Sequence, residues 1–447
     1  MGGSISVGRV GGWAFALGVG AAVLTGTASA SADTGDSGST TSQSTTAHAP
    51  RTHAGPRAAD AAKRQRTTVK DRKAARRAAK DDAPATNRPV KPRKAAITTP
   101  ATTTASAAAD RTVVASGLNA PVDFQVLPDN RIVVAEKGGK IRIVEDGAVA
   151  RRPLVRLPVL TQGERGINGI TIDPDFADNG YLYVAYTTRG ARDRLARLTV
   201  VGNRVAFGSQ KVLLQTTDRS ALYHRGGALG FGPDGDLYWG LGDNKNGANA
   251  QDLTSLHGKI IRLNPEGSIP SDNPDLGPGA LPQIYAYGVR NPFRLTFTPT
   301  GELLVADVGE NSYEELNLVT AGGNYGWPGA EGYCDGCTSI DPIYEYAHNG
   351  SGAAITSVLV YTGDVLGPEY QGKVFIADEV QGWIKVLTCS ADFSSCGNAQ
   401  DFDPQAGSSV VLRQAPDGSI YQLTYSPGQL VRISGAPSAV SSPAVDV

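Results

Sequence analysis

Pro233-Asp234-Gly235-Asp236-Leu237-Tyr238 decides the fold, because the chain repeats this phrase. Proline fixes the entry φ and Asp-Gly supplies the reversal, so the phrase predicts a tight hairpin that feeds a strand. Copies occur at Pro128-Asp129-Asn130-Arg131-Ile132-Val133-Val134, at Pro174-Asp175 leading to Tyr181-Leu182-Tyr183-Val184, at Pro299-Thr300-Gly301-Glu302-Leu303-Leu304-Val305 and at Pro416-Asp417-Gly418-Ser419-Ile420-Tyr421. A degenerate copy is Tyr370-Gln371-Gly372-Lys373-Val374-Phe375. The copies stand roughly 45 to 70 residues apart, the spacing of propeller blades with loop insertions. Six copies predict six blades. A two-sheet sandwich is also all-β, but it does not account for one phrase recurring six times. The predicted fold class is therefore all-β, a six-bladed β-propeller preceded by a signal peptide and a disordered linker.

Working outward, the propeller is expected over residues 111–437, with a disordered tail over 438–447. Residues 1–32 read as a signal peptide: Arg9 supplies the positive start, Gly12 to Leu24 the apolar run, and Ala28-Ser29-Ala30 or Ala30-Ser31-Ala32 the small-residue cleavage site. That run is shorter than the ~20 residues a span requires. The reading is export to the cell envelope or medium, with no transmembrane anchor after cleavage. Residues 33–110 are Ala, Thr, Ser, Pro, Lys and Arg with almost no aromatics, a composition that cannot offset chain entropy by burial and predicts disorder. Between Arg51 and Lys94 stand 15 Lys/Arg against 4 Asp/Glu, whereas from Arg111 onward 26 basic residues face 36 acidic ones. The basic linker suits an anionic envelope polymer, and the acidic domain argues against nucleic acid. Four cysteines, Cys334, Cys337, Cys389 and Cys396, suit disulfides in an exported chain. Short spacings favour local pairs over a four-cysteine zinc site, although three connectivities remain open. Cys334-Asp335-Gly336-Cys337 follows a Gly/Pro-rich stretch rather than opening a helix, so it reads as a structural staple.

Chemistry concentrates in Tyr223-His224-Arg225-Gly226-Gly227-Ala228-Leu229-Gly230-Phe231-Gly232. Paired glycines allow close approach of a ligand or backbone, and a histidine beside them is a candidate general base. Further motifs are Gly163-Glu164-Arg165-Gly166-Ile167-Asn168-Gly169-Ile170, Gly258-Lys259-Ile260-Ile261-Arg262-Leu263-Asn264-Pro265, Tyr287-Gly288-Val289-Arg290-Asn291-Pro292-Phe293 and Gly322-Gly323-Asn324-Tyr325-Gly326-Trp327-Pro328. Together they resemble the soluble glucose/sorbosone dehydrogenase family, the quinoproteins that use pyrroloquinoline quinone (PQQ) to oxidise aldoses. The resemblance covers about Val113 to Ser434. The fold also occurs in non-catalytic relatives such as hedgehog-interacting protein.

The resemblance implies roles residue by residue. His224 matches the general base that takes the proton of the sugar C1 hydroxyl, and Arg290 the cation beside the quinone oxygens, with Asn291 following it. Glu164 stands where the glucose enzyme has a glutamine near sugar or cofactor. Gly309 and Glu310 match the pair whose carbonyls hold the active-site calcium, and Glu315, the carbonyl of Tyr325 and Asp335 match a second, structural calcium site. Asn324 to Trp327 otherwise reads as core packing and turn. The family's glucose enzyme grips the cofactor carboxylates with a lysine and two arginines; the corresponding positions here are Val380 or Gln381, Ser408 and Val410. Arg413, Arg225 and Lys245 are candidate substitutes. The implied activity is oxidation of an aldose at C1 with PQQ and calcium. The alternative is a non-catalytic, calcium-stabilised propeller that binds carbohydrate or a cell-wall partner.

Overall fold

Each of the six turn phrases joins the first and second strands of an antiparallel sheet. The computed structural model describes residues 109–435, and the expected signal peptide, the linker up to residue 108 and the tail lie outside the described residues. The first strands are Pro121–Val126, Ile167–Ile172, Leu229–Phe231, Pro292–Phe297, Ile355–Val360 and Ser409–Gln414. Each begins a sheet of four or five strands, and six such sheets form. The first strands touch one another in a closed ring, first to second and onward until the sixth meets the first. This is a six-bladed propeller with the first strands innermost.

Second strands lie between the first and third strands of each blade and are largely apolar. Ile132–Glu136, Leu237–Leu241, Leu303–Asp307 and Val374–Asp378 are buried at every residue. That is why the sequence shows short continuous apolar runs rather than strict alternation. Ring closure uses the chain's earlier end: Asp110–Ser116 pairs with Gln429–Ser434, so the sixth blade takes its outer strand from ahead of the first. Pairing starts at Asp110, one residue before the expected boundary.

Antiparallel register sets the two ends of the channel. The start of each first strand lies beside the end of its second strand, as in Pro292 opposite Asp307 and Ile355 opposite Asp378. The Pro-Asp turns therefore stand at one end, and the segments carrying Glu164, His224 and Arg290 gather at the other. In five of the six blades a bulge follows the first paired residue of the inner strand. Bulges bend a strand and re-aim its side chains, and here they ring the end of the channel that holds these three residues. Both disulfides are local, Cys334–Cys337 and Cys389–Cys396. Among the described residues, no helix is long and apolar enough to cross a membrane.

Candidate active site

His224 precedes the inner strand of blade three, and Asp243 follows the second strand of the same blade, which brings the two together. His224 Nδ1 and Asp243 Oδ1 are 2.7 Å apart, with both side chains buried. An ionised carboxylate at Nδ1 selects the tautomer with the proton there and leaves the Nε2 lone pair as the acceptor. Burial alone would raise the Asp243 carboxyl. Hydrogen bonds from His224 and Trp327, together with the Arg290 charge, outweigh it and hold the pKa below the ordinary carboxylate value. Trp327 Nε1–H donates to Asp243 Oδ2 at 2.9 Å, and the Lys245 amide donates to Oδ1 at 2.7 Å. Close packing enforces this contact: a Cβ on Gly242 would stand 2.4 Å from the His224 carbonyl oxygen and 2.9 Å from Asn291 Oδ1.

Asp307 fixes the neighbouring pair from blade four. Its two carboxylate oxygens accept the amides of Arg290 and Asn291 at 2.8 and 2.6 Å. Arg290 is buried, donates from Nη1 to the Val308 carbonyl at 2.9 Å, and lies over the Trp327 ring with 5.4 Å from its Cζ to the centroid. Asn291 Oδ1 accepts the Gly226 amide at 2.8 Å. Glu164 Oε2 accepts the Arg225 amide at 3.0 Å and Asn291 Nδ2 at 3.4 Å. A cavity of about 400 Å³ opens over this network, lined by His224, Asp243, Lys245, Glu310, Trp327 and Glu331 among others.

One loop borders the cavity through a single carboxylate. Glu331 Oε1 accepts the amides of Glu310, Asn311, Ser312 and Tyr313, at 2.6 to 3.4 Å. Such a nest of amides favours the anion, and despite its burial the Glu331 pKa is lowered. In a trans peptide the carbonyl points opposite to the next amide. The carbonyls of Gly309 and Glu310 therefore both turn away from Glu331. Gly309 is required here, since a Cβ would meet the Tyr313 carbonyl oxygen at 1.8 Å.

The sequence profile described as Glucose / Sorbosone dehydrogenase matches residues 118–432. The chain belongs to this family. Quinoprotein glucose dehydrogenase B of Acinetobacter calcoaceticus is 34% identical over 280 residues, 56% of this chain and 57% of that protein, so the match spans just over half of the relative. Aldose sugar dehydrogenase YliI of Escherichia coli K12 is 29% identical over 347 residues, 72% of this chain and 92% of that protein. The PQQ-bound aldose sugar dehydrogenase of Streptomyces coelicolor superposes with a TM-score of 0.63 at 25% identity, covering 74% of this chain and 99% of that structure.

Within this member of the family, hydrogen bonds and ion pairs link His224, Arg290, Asn291, Glu164 and Glu310 into one cluster. Glu310 reaches Arg290 Nη2 at 3.9 Å and Lys245 Nζ at 3.6 Å. The other calcium-site candidates are less connected. Glu315 is buried and accepts the Gly332 amide at 2.6 Å and Asn317 Nδ2 at 3.1 Å; burial, opposed by these bonds and reinforced by Glu331 and Glu345, pushes its pKa to about 7. Tyr325 is core, its hydroxyl bonded to the Leu318 carbonyl, whereas Asp335 is exposed on the Cys334–Cys337 loop. Among the described residues no three His, Cys, Asp or Glu side chains are arranged to hold a metal.

Two substitutes for the missing cofactor-carboxylate cations are committed elsewhere. Arg225 pairs with Asp193 at 2.5 Å and is buried under the site. Arg413 pairs with Asp123 at 2.9 Å and lines a different cavity. Lys245 alone of the three lines the His224 pocket. The residues present nonetheless suit the reacting edge of a quinone, with Arg290 over Trp327 and the indole sharing Asp243 with His224, and the carbonyls of Gly309 and Glu310, both turned away from Glu331, offer oxygen to a hard cation. Sequence reasoning missed Asp243, Glu331 and Trp327 as site residues. Trp327, expected as packing and turn, also donates to the Asp243 carboxylate that His224 shares and lines the cavity.

Proposed function

We propose that the chain oxidises an aldose at C1 using PQQ and calcium. The observation that carries this reading is the buried His224–Asp243 pair opening beside Arg290 onto the cavity. When bound, the calcium-held quinone supplies the hydride acceptor. His224 Nε2 takes the proton of the C1 hydroxyl while the C1–H bond leaves with its electron pair, so two electrons and two protons depart and a lactone results. Asp243 keeps Nδ1–H in place and stabilises the imidazolium that forms. Arg290, held by Asp307 and Val308, sets a fixed positive charge where negative charge develops. Glu164 and Asn291 brace the wall, and the carbonyls of Gly309 and Glu310 would hold the ion. We also propose export to the envelope or medium, on the signal-like start, with the basic linker free to meet an anionic polymer.

One observation favours the second reading, a non-catalytic propeller that binds carbohydrate or a cell-wall partner. Val380, Gln381, Ser408 and Val410 offer no cation to the cofactor's carboxylates, and a tricarboxylate needs compensating charge unless it stays hydrated. Titrating the full chain with PQQ at saturating calcium, followed by tryptophan fluorescence, separates the two. The first reading expects saturable quenching that Arg290→Ala weakens about tenfold, the equivalent of one charge-assisted hydrogen bond. No saturable binding, with sugar binding retained, would favour the second.

A further inference from the structure

A second cavity, of about 210 Å³, lies within the ring of inner strands and shares no lining residue with the His224 pocket. Its polar lining is Gln125, Arg294, Thr296, Arg413 and Gln414, and the rest is aliphatic. Arg413 and Gln414 stand opposite Tyr421 and Ile420, beside the Pro-Asp turn of blade six, so this cavity reaches toward the turn end of the channel.

The charges here do not balance. Arg294 is 3% exposed, and among the described residues its Nη groups donate only to the Phe293 and Val122 carbonyls, which are neutral. Arg413 Nη2 donates to Asp123 Oδ1 at 2.9 Å. Asp123 is fully buried, and its remaining bonds come from the Phe124 and Ile170 amides. Two guanidiniums thus face one carboxylate, and the Nε atoms of both arginines are buried without a partner among the described residues. Burial lowers the Arg294 pKa to about 10, with Asp123 opposing and Arg413 reinforcing the shift, so Arg294 stays charged at neutral pH. An uncompensated buried cation is costly, and proteins satisfy such groups with a counter-charge.

We propose that this cavity binds one small monovalent anion of the halide class between Arg294 and Arg413. One excess positive charge calls for one negative charge. The volume admits an ion with a few waters, a single excess charge does not match a dianionic phosphate ester, and Thr296 adds a hydroxyl donor to the lining. Asp123, Arg294 and Arg413 belong to blades one, four and six, so the ion ties together blades that meet across the channel.

The test uses bromide as probe with the full chain. The melting temperature is read while bromide replaces isethionate at constant ionic strength. A rise of about 2–4 °C at ten times the half-saturating concentration is expected, from mass action on the folded state. Arg413→Gln leaves one guanidinium against one carboxylate and should abolish the response. Crystals of the unmodified chain grown in bromide should give an anomalous peak between Arg294 and Arg413, a readout that does not depend on the variant folding. A melting temperature indifferent to bromide, an equal response in Arg413→Gln, or a cavity without the peak overturns the proposal.

Discussion

His224 occupies the left-handed region at φ 60, where a residue with a Cβ is uncommon. Such a conformation costs on the order of 1 kcal/mol and persists only where its surroundings over-determine it. Asp243 is the surrounding group that matters most, because its two oxygens serve two side-chain donors, His224 Nδ1–H and Trp327 Nε1–H, beside the Lys245 amide. Asp243→Asn leaves one oxygen for both, so the ring loses its tautomer or the indole loses its acceptor. Turnover with cofactor present should fall by about 10²-fold or more while sugar affinity changes little, measured as kcat against KM. Glu331→Ala releases four amides, and hydrogen exchange at residues 310–313 should quicken without change in the global melting temperature. An unchanged exchange rate would remove Glu331 from the loop's support. His224, Arg290 and Asn291 were legible because they stand inside contiguous motifs. Asp243 stands beyond the His224 motif, and nothing local says that the second strand returns it to His224. Glu331 was illegible because its partners are backbone amides some 20 residues upstream, which no side-chain pattern encodes.

At the scale of elements, the turn phrases carried the fold because Pro and Asp-Gly act locally, and all six sit between first and second strands. The bulges were not legible, since they arise from register with a partner strand. The second strand of blade five ends in an acidic pair. Asp378 is fully buried, and Glu379, also buried, has Oε2 without a partner among the described residues. Burial first, and the Asp378 charge second, push the Glu379 pKa from 4.5 to about 7. The folded chain therefore keeps a proton that the unfolded chain releases between those values. Its contribution is complete below about pH 4.5 and is lost as pH rises through about 7. Glu379→Gln should raise stability at pH 8 by up to about 3 kcal/mol and leave it unchanged at pH 4, read from denaturant unfolding at each pH. Equal effects at both would mean that the carboxylate is solvated when folded.

For the whole molecule, closure of the ring is the dominant long-range constraint, and it was hidden from the turn pattern because Asp110–Ser116 carries no turn phrase. This strand covers an edge that would otherwise expose unpaired amides and carbonyls, and Arg111 ties it to Asp403 and Gln422. Removing residues through Ser116 should abolish cooperative unfolding and promote aggregation, read by circular dichroism and light scattering. A monomeric chain with an unshifted transition would show that the ring closes without it. Hydride transfer from C1 is the step on which the proposed chemistry stands, and C1 isotopic substitution reads it. The full chain loaded with PQQ and calcium is mixed with an aldose and with its C1-deuterated form, and quinone reduction is followed in a single turnover. Lactone formation, a primary isotope effect, and loss of the reaction by about 10² to 10⁴-fold in His224→Gln with quinone binding retained are expected. Saturable quinone binding without reduction by any aldose, or reduction that His224→Gln leaves unchanged, would contradict this chemistry.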